Sequence, residues 1–174
     1  MTLHIESTPP VVAGQIGEVP EAPARRRHFS DSVSVLGLGL EPRCFDKTEL
    51  ERMADAESGP LSIICYSGRP IRDVAYVRGV RLTELLDASG LRALPRAQCK
   101  KLIFAVRARD GYVALFTWHE LYNSPIGQGA MLLVEQDGEV LPPSAGGLQL
   151  ISLGDFHLGP RQALAVETIE IRSW

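Results

Sequence analysis

The chain has 174 residues, of which 45% are hydrophobic and 22% charged, the composition of one ordinary folded domain. Its 18 Lys and Arg against 21 Asp and Glu leave a formal charge of -3, which gives no electrostatic footprint for nucleic acid. No apolar run approaches the roughly 18 to 20 residues a membrane-spanning helix needs, the longest being strand-sized stretches such as Ala130 to Val134. Neither nucleic acid nor a membrane is therefore an expected partner.

Residues 1–30 carry Pro9, Pro10, Pro20 and Pro23 with few large apolar side chains, too little burial to offset the entropy of ordering. This stretch reads as a flexible Pro-rich lead-in, with a single domain over 31–174. The cluster Arg25-Arg26-Arg27 is followed by Ser30-Asp31-Ser32 and only a short apolar run, so it reads as a solvated basic patch and not an export signal. Cys44, Cys65 and Cys99 are an odd, widely spaced set without C-x-x-C, and the four histidines lie far apart, so neither a disulfide scaffold nor a zinc site is expected. A cytoplasmic location follows as the default.

From Val33 the pattern becomes structured. Val33, Val35 and Leu36 to Leu40 read as one strand running into Glu41-Pro42. Asp46 with Glu49 three residues on opens a capped helix through Leu50, Met53 and Ala54, which Gly59-Pro60 stops. Leu61 to Tyr66 is short and β-prone, a candidate buried strand that delivers Cys65 to its end, ahead of the turn Ser67-Gly68-Arg69-Pro70. Leu82, Leu85 and Leu86 at helical spacing, with Gly90 as C-terminal cap, predict a second helix.

The remainder turns to β. Asp110-Gly111 joins Leu102 to Val106 with Tyr112 to Phe116, and Asp137-Gly138 joins Met131 to Glu135 with Glu139 to Leu141; Asp-Gly supplies the positive φ that a tight turn demands. Trp118 to Tyr122 reads as one helical turn between these hairpins, and Leu148 to Leu153 and Ala163 to Ile171 as terminal strands. Together they predict an α+β fold of mixed β-sheets with a few covering helices.

The chain has no phosphate-loop motif, no G-x-S-x-G elbow and no third glycine after Gly37-Leu38-Gly39. The most informative chemical candidate is Cys65, a thiol followed by Ser67-Gly68 and the cations Arg69 and Arg72. Nearby positive charge favours the thiolate, which serves as nucleophile or soft-metal ligand. Free cysteine is also among the most commonly buried residue types, so packing is the competing reading.

The surroundings of Cys65 carry a resemblance. Val35-Leu36-Gly37 through Glu41-Pro42, the capped Glu49-Leu50 helix, the Cys65 strand and Val77-Arg78-Gly79-Val80-Arg81-Leu82-Thr83-Glu84-Leu85-Leu86 resemble the sulfite oxidase-like, oxidoreductase molybdopterin-binding domain. So do Ala108-Arg109-Asp110-Gly111-Tyr112, Leu132 to Pro142 and Ser144 to Ile151, in collinear order over roughly residues 33–172. The resemblance implies the sulfite oxidase-like fold and a molybdenum-molybdopterin cofactor with Cys65 as metal ligand. It also implies two-electron or oxygen-atom-transfer chemistry, with a small anionic substrate or a redox partner protein. Ser67, Tyr112, Gly146 and Gly147 would line the site, and Arg161 would help hold the cofactor phosphate. Three departures accompany it: His28 alone stands for the family's upstream polar contacts, neutral Gln149 replaces a cation and a proline is lost in Gly146-Gly147-Leu148-Gln149, and Ala163-Leu164-Ala165 lacks the Lys near the last strand. Two functional expectations follow, a molybdopterin-dependent oxidoreductase and a cofactor-free degenerate relative that keeps the fold as a binding or interaction module.

Overall fold

Asp46 accepts a hydrogen bond from the backbone N–H of Glu49 at 2.8 Å and so starts helix α1, Lys47–Met53, where the capping pattern places it. The computed structural model describes residues 28–174; residues 1–27, with most of the expected lead-in and the Arg25 to Arg27 cluster, lie outside the described residues. The described end of the lead-in is tied down, because Ser30 is buried and forms a parallel bridge with Gly147.

The elements follow in the order β1 (Val33–Gly37), β2 (Leu40–Phe45), α1, β3 (Ala56–Ser58), β4 (Leu61–Ile64), β5 (Pro70–Val74), β6 (Val77–Arg81) and α2 (Leu82–Ala88). Then come α3 (Arg96–Cys99), β7 (Leu102–Ala108), β8 (Val113–Thr117), α4 (Trp118–Asn123) and α5 (Ile126–Gly129). The chain closes with β9 (Ala130–Gln136), β10 (Glu139–Val140), β11 (Gln149–Ser152), β12 (Ala163–Leu164) and β13 (Val166–Ser173). One sheet runs β2-β1-β13-β7-β8, with β1 parallel to β13 and the other pairs antiparallel; a second runs β12-β11-β9-β6-β3 with β10 added to β9; β4 and β5 form a separate hairpin. The protein is α+β, with one mixed sheet, one antiparallel sheet and short covering helices.

Strand β9 explains why its sequence is a continuous apolar run and not an alternating one. Leu132 and Val134 enter a core cluster with Val33, Phe104, Phe116 and Ile169 of the first sheet, whereas Met131 and Leu133 enter a second cluster with Ile63 and Val74 of the β4–β5 hairpin. The strand is buried on both faces, and each such side chain contributes about 1.5–3 kcal/mol by leaving water. The hairpin is thereby clamped onto the outer face of the second sheet, and this sets where its tip, with Cys65, lies.

Four expectations are corrected. The predicted strand through Leu40 is a hairpin, turned by Leu38 and Gly39 at φ of 55° and 71°. The first helix stops at Met53, and β3 intervenes before Gly59-Pro60. The Leu61 to Tyr66 segment is a strand only to Ile64, of its residues only Ile63 is buried, and it sits in a two-stranded hairpin. The terminal strand breaks at Ala165, φ 55°, so β12 closes the second sheet and β13 crosses to the first.

Candidate functional site

The tip of the β4–β5 hairpin is a tight turn. The Cys65 N–H donates to the Arg69 carbonyl at 3.0 Å and the Gly68 N–H to the Cys65 carbonyl at 2.9 Å. Gly68 adopts φ 81°, which a glycine takes without steric cost. The turn brings the Ser67 hydroxyl to 2.9 Å from Cys65 Sγ, a contact open to solvent although Cys65 as a whole residue is partly covered. The Ser67 hydroxyl is the main reason the Cys65 thiol lies below its ordinary pKa; burial opposes it, while the Ser67 and Arg69 backbone and the Arg69 charge assist. Beside it Tyr66 is almost fully exposed.

Underneath runs the loop between β11 and β12. A Cβ on Gly159 would lie 2.6 Å from the Ile64 carbonyl oxygen and 3.2 Å from Cys65 Cα, so only glycine lets the loop approach this closely. Arg161 anchors the loop. Its Nε and Nη2 donate to Asp155 at 2.7 and 2.5 Å, its Nη1 lies 3.0 Å from Glu120 Oε1, and its guanidinium stacks 4.4 Å above the Phe116 ring. Burial works to lower the Arg161 pKa, but the two carboxylates outweigh it and hold the guanidinium protonated above its usual range. Glu120 also closes the capping box of α4 with Thr117. Tyr112 donates its hydroxyl to the Pro160 carbonyl.

Cys65, Ser67, Tyr112 and Arg161 thus meet around one loop. Gly146 and Gly147 are engaged elsewhere. Their N–H groups donate to the Pro143 and Pro142 carbonyls at 3.0 and 3.2 Å, while the Gly146 carbonyl accepts from Ser30 at 3.1 Å. A Cβ on Gly147 would sit 2.0 Å from the Ser30 carbonyl oxygen and 2.7 Å from the Phe29 ring. Gln149 is fully buried; its Nε2 donates to the Ala145 carbonyl at 3.0 Å and its Oε1 accepts from Arg72 Nη2 at 3.1 Å. The Arg72–Gln149 contact spans 77 residues, and residue spacing gave no sign of it.

Among the described residues, no group of three or more His, Cys, Asp or Glu is arranged to hold a metal ion, and no helix is long and apolar enough to cross a membrane. A cavity of about 200 Å³ lies between Phe29, Val134, Val140, Leu141, Pro142 and Leu148, and a more open hollow lies by Pro60, Ser62, Asp73 and Asp137. Cys65 lines neither. No protein-family model matches the chain, and no curated protein matches it.

Proposed function

We propose that this chain is a cofactor-free relative of the sulfite oxidase-like molybdopterin-binding domain, keeping the scaffold as a binding or interaction module. The observation that carries the reading is the state of Arg161, the cation just ahead of β12. A pterin phosphate is a dianion held by charge-assisted donors worth about 1.5–3 kcal/mol each. Arg161 has already committed its guanidinium to Asp155 and Glu120. The Gly146 and Gly147 amides are spent inside their own turn, and Gln149 brings no charge. The residues present do not fit the phosphate end of the cofactor.

One observation favours the oxidoreductase reading, namely a Cys65 thiol open to solvent and biased toward the thiolate, the form a soft metal takes. The three free thiols suit a reducing, cytoplasmic compartment under either reading. The test is pterin fluorescence from denatured protein, purified folded from a host that makes the molybdenum cofactor. The proposal predicts a blank, and one pterin per chain would overturn it in favour of the oxidoreductase.

A further inference from the structure

Residues 92–101 carry Arg92, Arg96, Lys100 and Lys101 and no carboxylate, a run of four cations on a chain whose formal charge is -3. Arg92 lies 2.7 Å from Asp87. Arg96, Lys100 and Lys101 are exposed and form no ion pair among the described residues. Elsewhere Arg43, Arg78, Arg81 and Arg107 each face a carboxylate. Three neighbouring cations left unmatched repel one another, and an anionic partner relieves that repulsion.

The backbone under this run is fixed. Cys99 is buried and seats α3, with its thiol donating to the Leu94 carbonyl at 3.7 Å. The Lys100 N–H donates to the Arg96 carbonyl at 3.3 Å, and Lys100 keeps helical dihedrals, so Arg96 and Lys100 stand on one face of the turn. The ladder between β13 and β7 then brings an aromatic side chain alongside. Arg172 pairs with Ile103 and Ser173 with Leu102, and the Trp174 N–H donates to the Lys101 carbonyl at 3.1 Å, which sets Trp174 opposite Lys101. Leu102 is buried, so alternation puts Lys101 and Trp174 on the other face of the sheet, with Arg172. Arg172 is answered by Glu170 at 2.5 Å, whereas the Trp174 ring is almost fully exposed. Unpaired cations beside an uncovered tryptophan combine charge with a large amphipathic contact, and Trp and Arg are the residue types most enriched among those that carry binding energy.

We propose that Arg96, Lys100, Lys101 and Trp174 form a docking surface for an acidic peptide segment of a partner protein, one that carries an aromatic side chain among its carboxylates. Outside residues 92–101 the chain is net negative and repels an extended polyanion, so a short acidic segment fits better than a nucleic-acid duplex or an anionic bilayer. The proposal goes beyond the reading above and does not depend on it, since its test uses no molybdenum or pterin. The full chain is titrated with a short peptide of glutamates around one phenylalanine, and binding is read by tryptophan emission and by calorimetry. The same peptide with lysines for glutamates, phosphatidylserine vesicles and a DNA duplex are titrated in parallel. Saturable binding of the acidic peptide that weakens as salt rises is expected, with none of the lysine peptide. Lys100→Glu combined with Lys101→Glu weakens it at least about tenfold, and Trp174→Ala weakens it and removes the emission change. No saturable binding, equal binding of the lysine peptide, or tighter binding of vesicles or duplex would each overturn the proposal. So would an affinity unchanged in the folded double variant or in Trp174→Ala. If the double variant does not fold, the titrations of the unaltered chain and Trp174→Ala decide the matter.

Discussion

Replacing Arg161 by methionine removes the guanidinium while keeping an apolar stem over the Phe116 ring, so the change isolates charge from packing. The Arg161 and Asp155 side chains are only 20% and 14% exposed, and Glu120 is 33% exposed. An exposed pair contributes about 0.2–1 kcal/mol, whereas stripping one partner from a buried pair costs about 3–5 kcal/mol. The Arg161–Asp155 pair lies toward the buried limit, and the solvent that still reaches it discounts the figure to about 2–3 kcal/mol. With a urea slope of about 2 kcal/mol/M for a domain of this size, the denaturation midpoint of Arg161→Met falls by about 1–1.5 M. The same midpoint measured in Asp155→Asn and in the double variant gives the coupling, which the bidentate geometry predicts to be positive. A fall below about 0.3 M, with no coupling, would show a guanidinium free to bind a ligand, and the argument from Arg161 would collapse.

Cys65 reacts as the thiolate, so its lowered pKa keeps alkylation fast to a lower pH than for an ordinary thiol. Ser67→Ala moves the pH–rate profile of iodoacetamide labelling upward, and an unmoved profile would discredit the Ser67 hydrogen bond. Asp137 lies below the usual carboxylate range because it accepts from the Tyr76 N–H, and then from the Ala75 N–H. A depressed carboxylate contributes stability that is present above its unfolded pKa of about 3.9 and lost as pH falls through the lower folded value. The gap in melting temperature between the wild type and Asp137→Asn should therefore close in acid, and a constant gap would contradict the linkage. Gly147→Ala combines φ +72° with a Cβ 2.0 Å from the Ser30 carbonyl, whereas Gly138→Ala, φ +82°, meets nothing within 4 Å. The first should cost about 2–3 kcal/mol and the second about 1 kcal/mol in thermal melts, and equal losses would deny the Ser30 bridge its role.

Much of the architecture could be read locally because its signals are local. The Asp46 cap, the Leu82, Leu85 and Leu86 stripe, the helical turn from Trp118 and the two Asp-Gly turns act within a few residues, and each appears where the chain pattern puts it. The misses are positions where tertiary context selects the backbone. Leu38 and Ala165 both adopt φ near 55°, a region their residue types rarely enter, so neither the first hairpin nor the break that carries the chain between sheets leaves a mark in composition. The apolar Leu61 to Tyr66 segment is consistent with a buried strand, yet its hairpin lies outside the two main sheets and covers one of them.

The candidate site divides in the same way. Cys65, Ser67 and the turn between Cys65 and Arg69 were legible, since one short segment holds them. The partners of Arg161 were not, because Glu120 is 41 residues away and Asp155 lies across a loop. Likewise the bridge that covers Gly147 joins it to Ser30, far upstream. Charge neutralisation and steric cover over such separations are products of the fold.

The most direct test is the molybdenum content per chain, measured by elemental mass spectrometry on folded wild type and Cys65→Ser purified from a host that makes the cofactor. The account predicts folded protein with negligible molybdenum in both. Near-stoichiometric molybdenum in the wild type that disappears in Cys65→Ser would contradict it and place Cys65 on a metal.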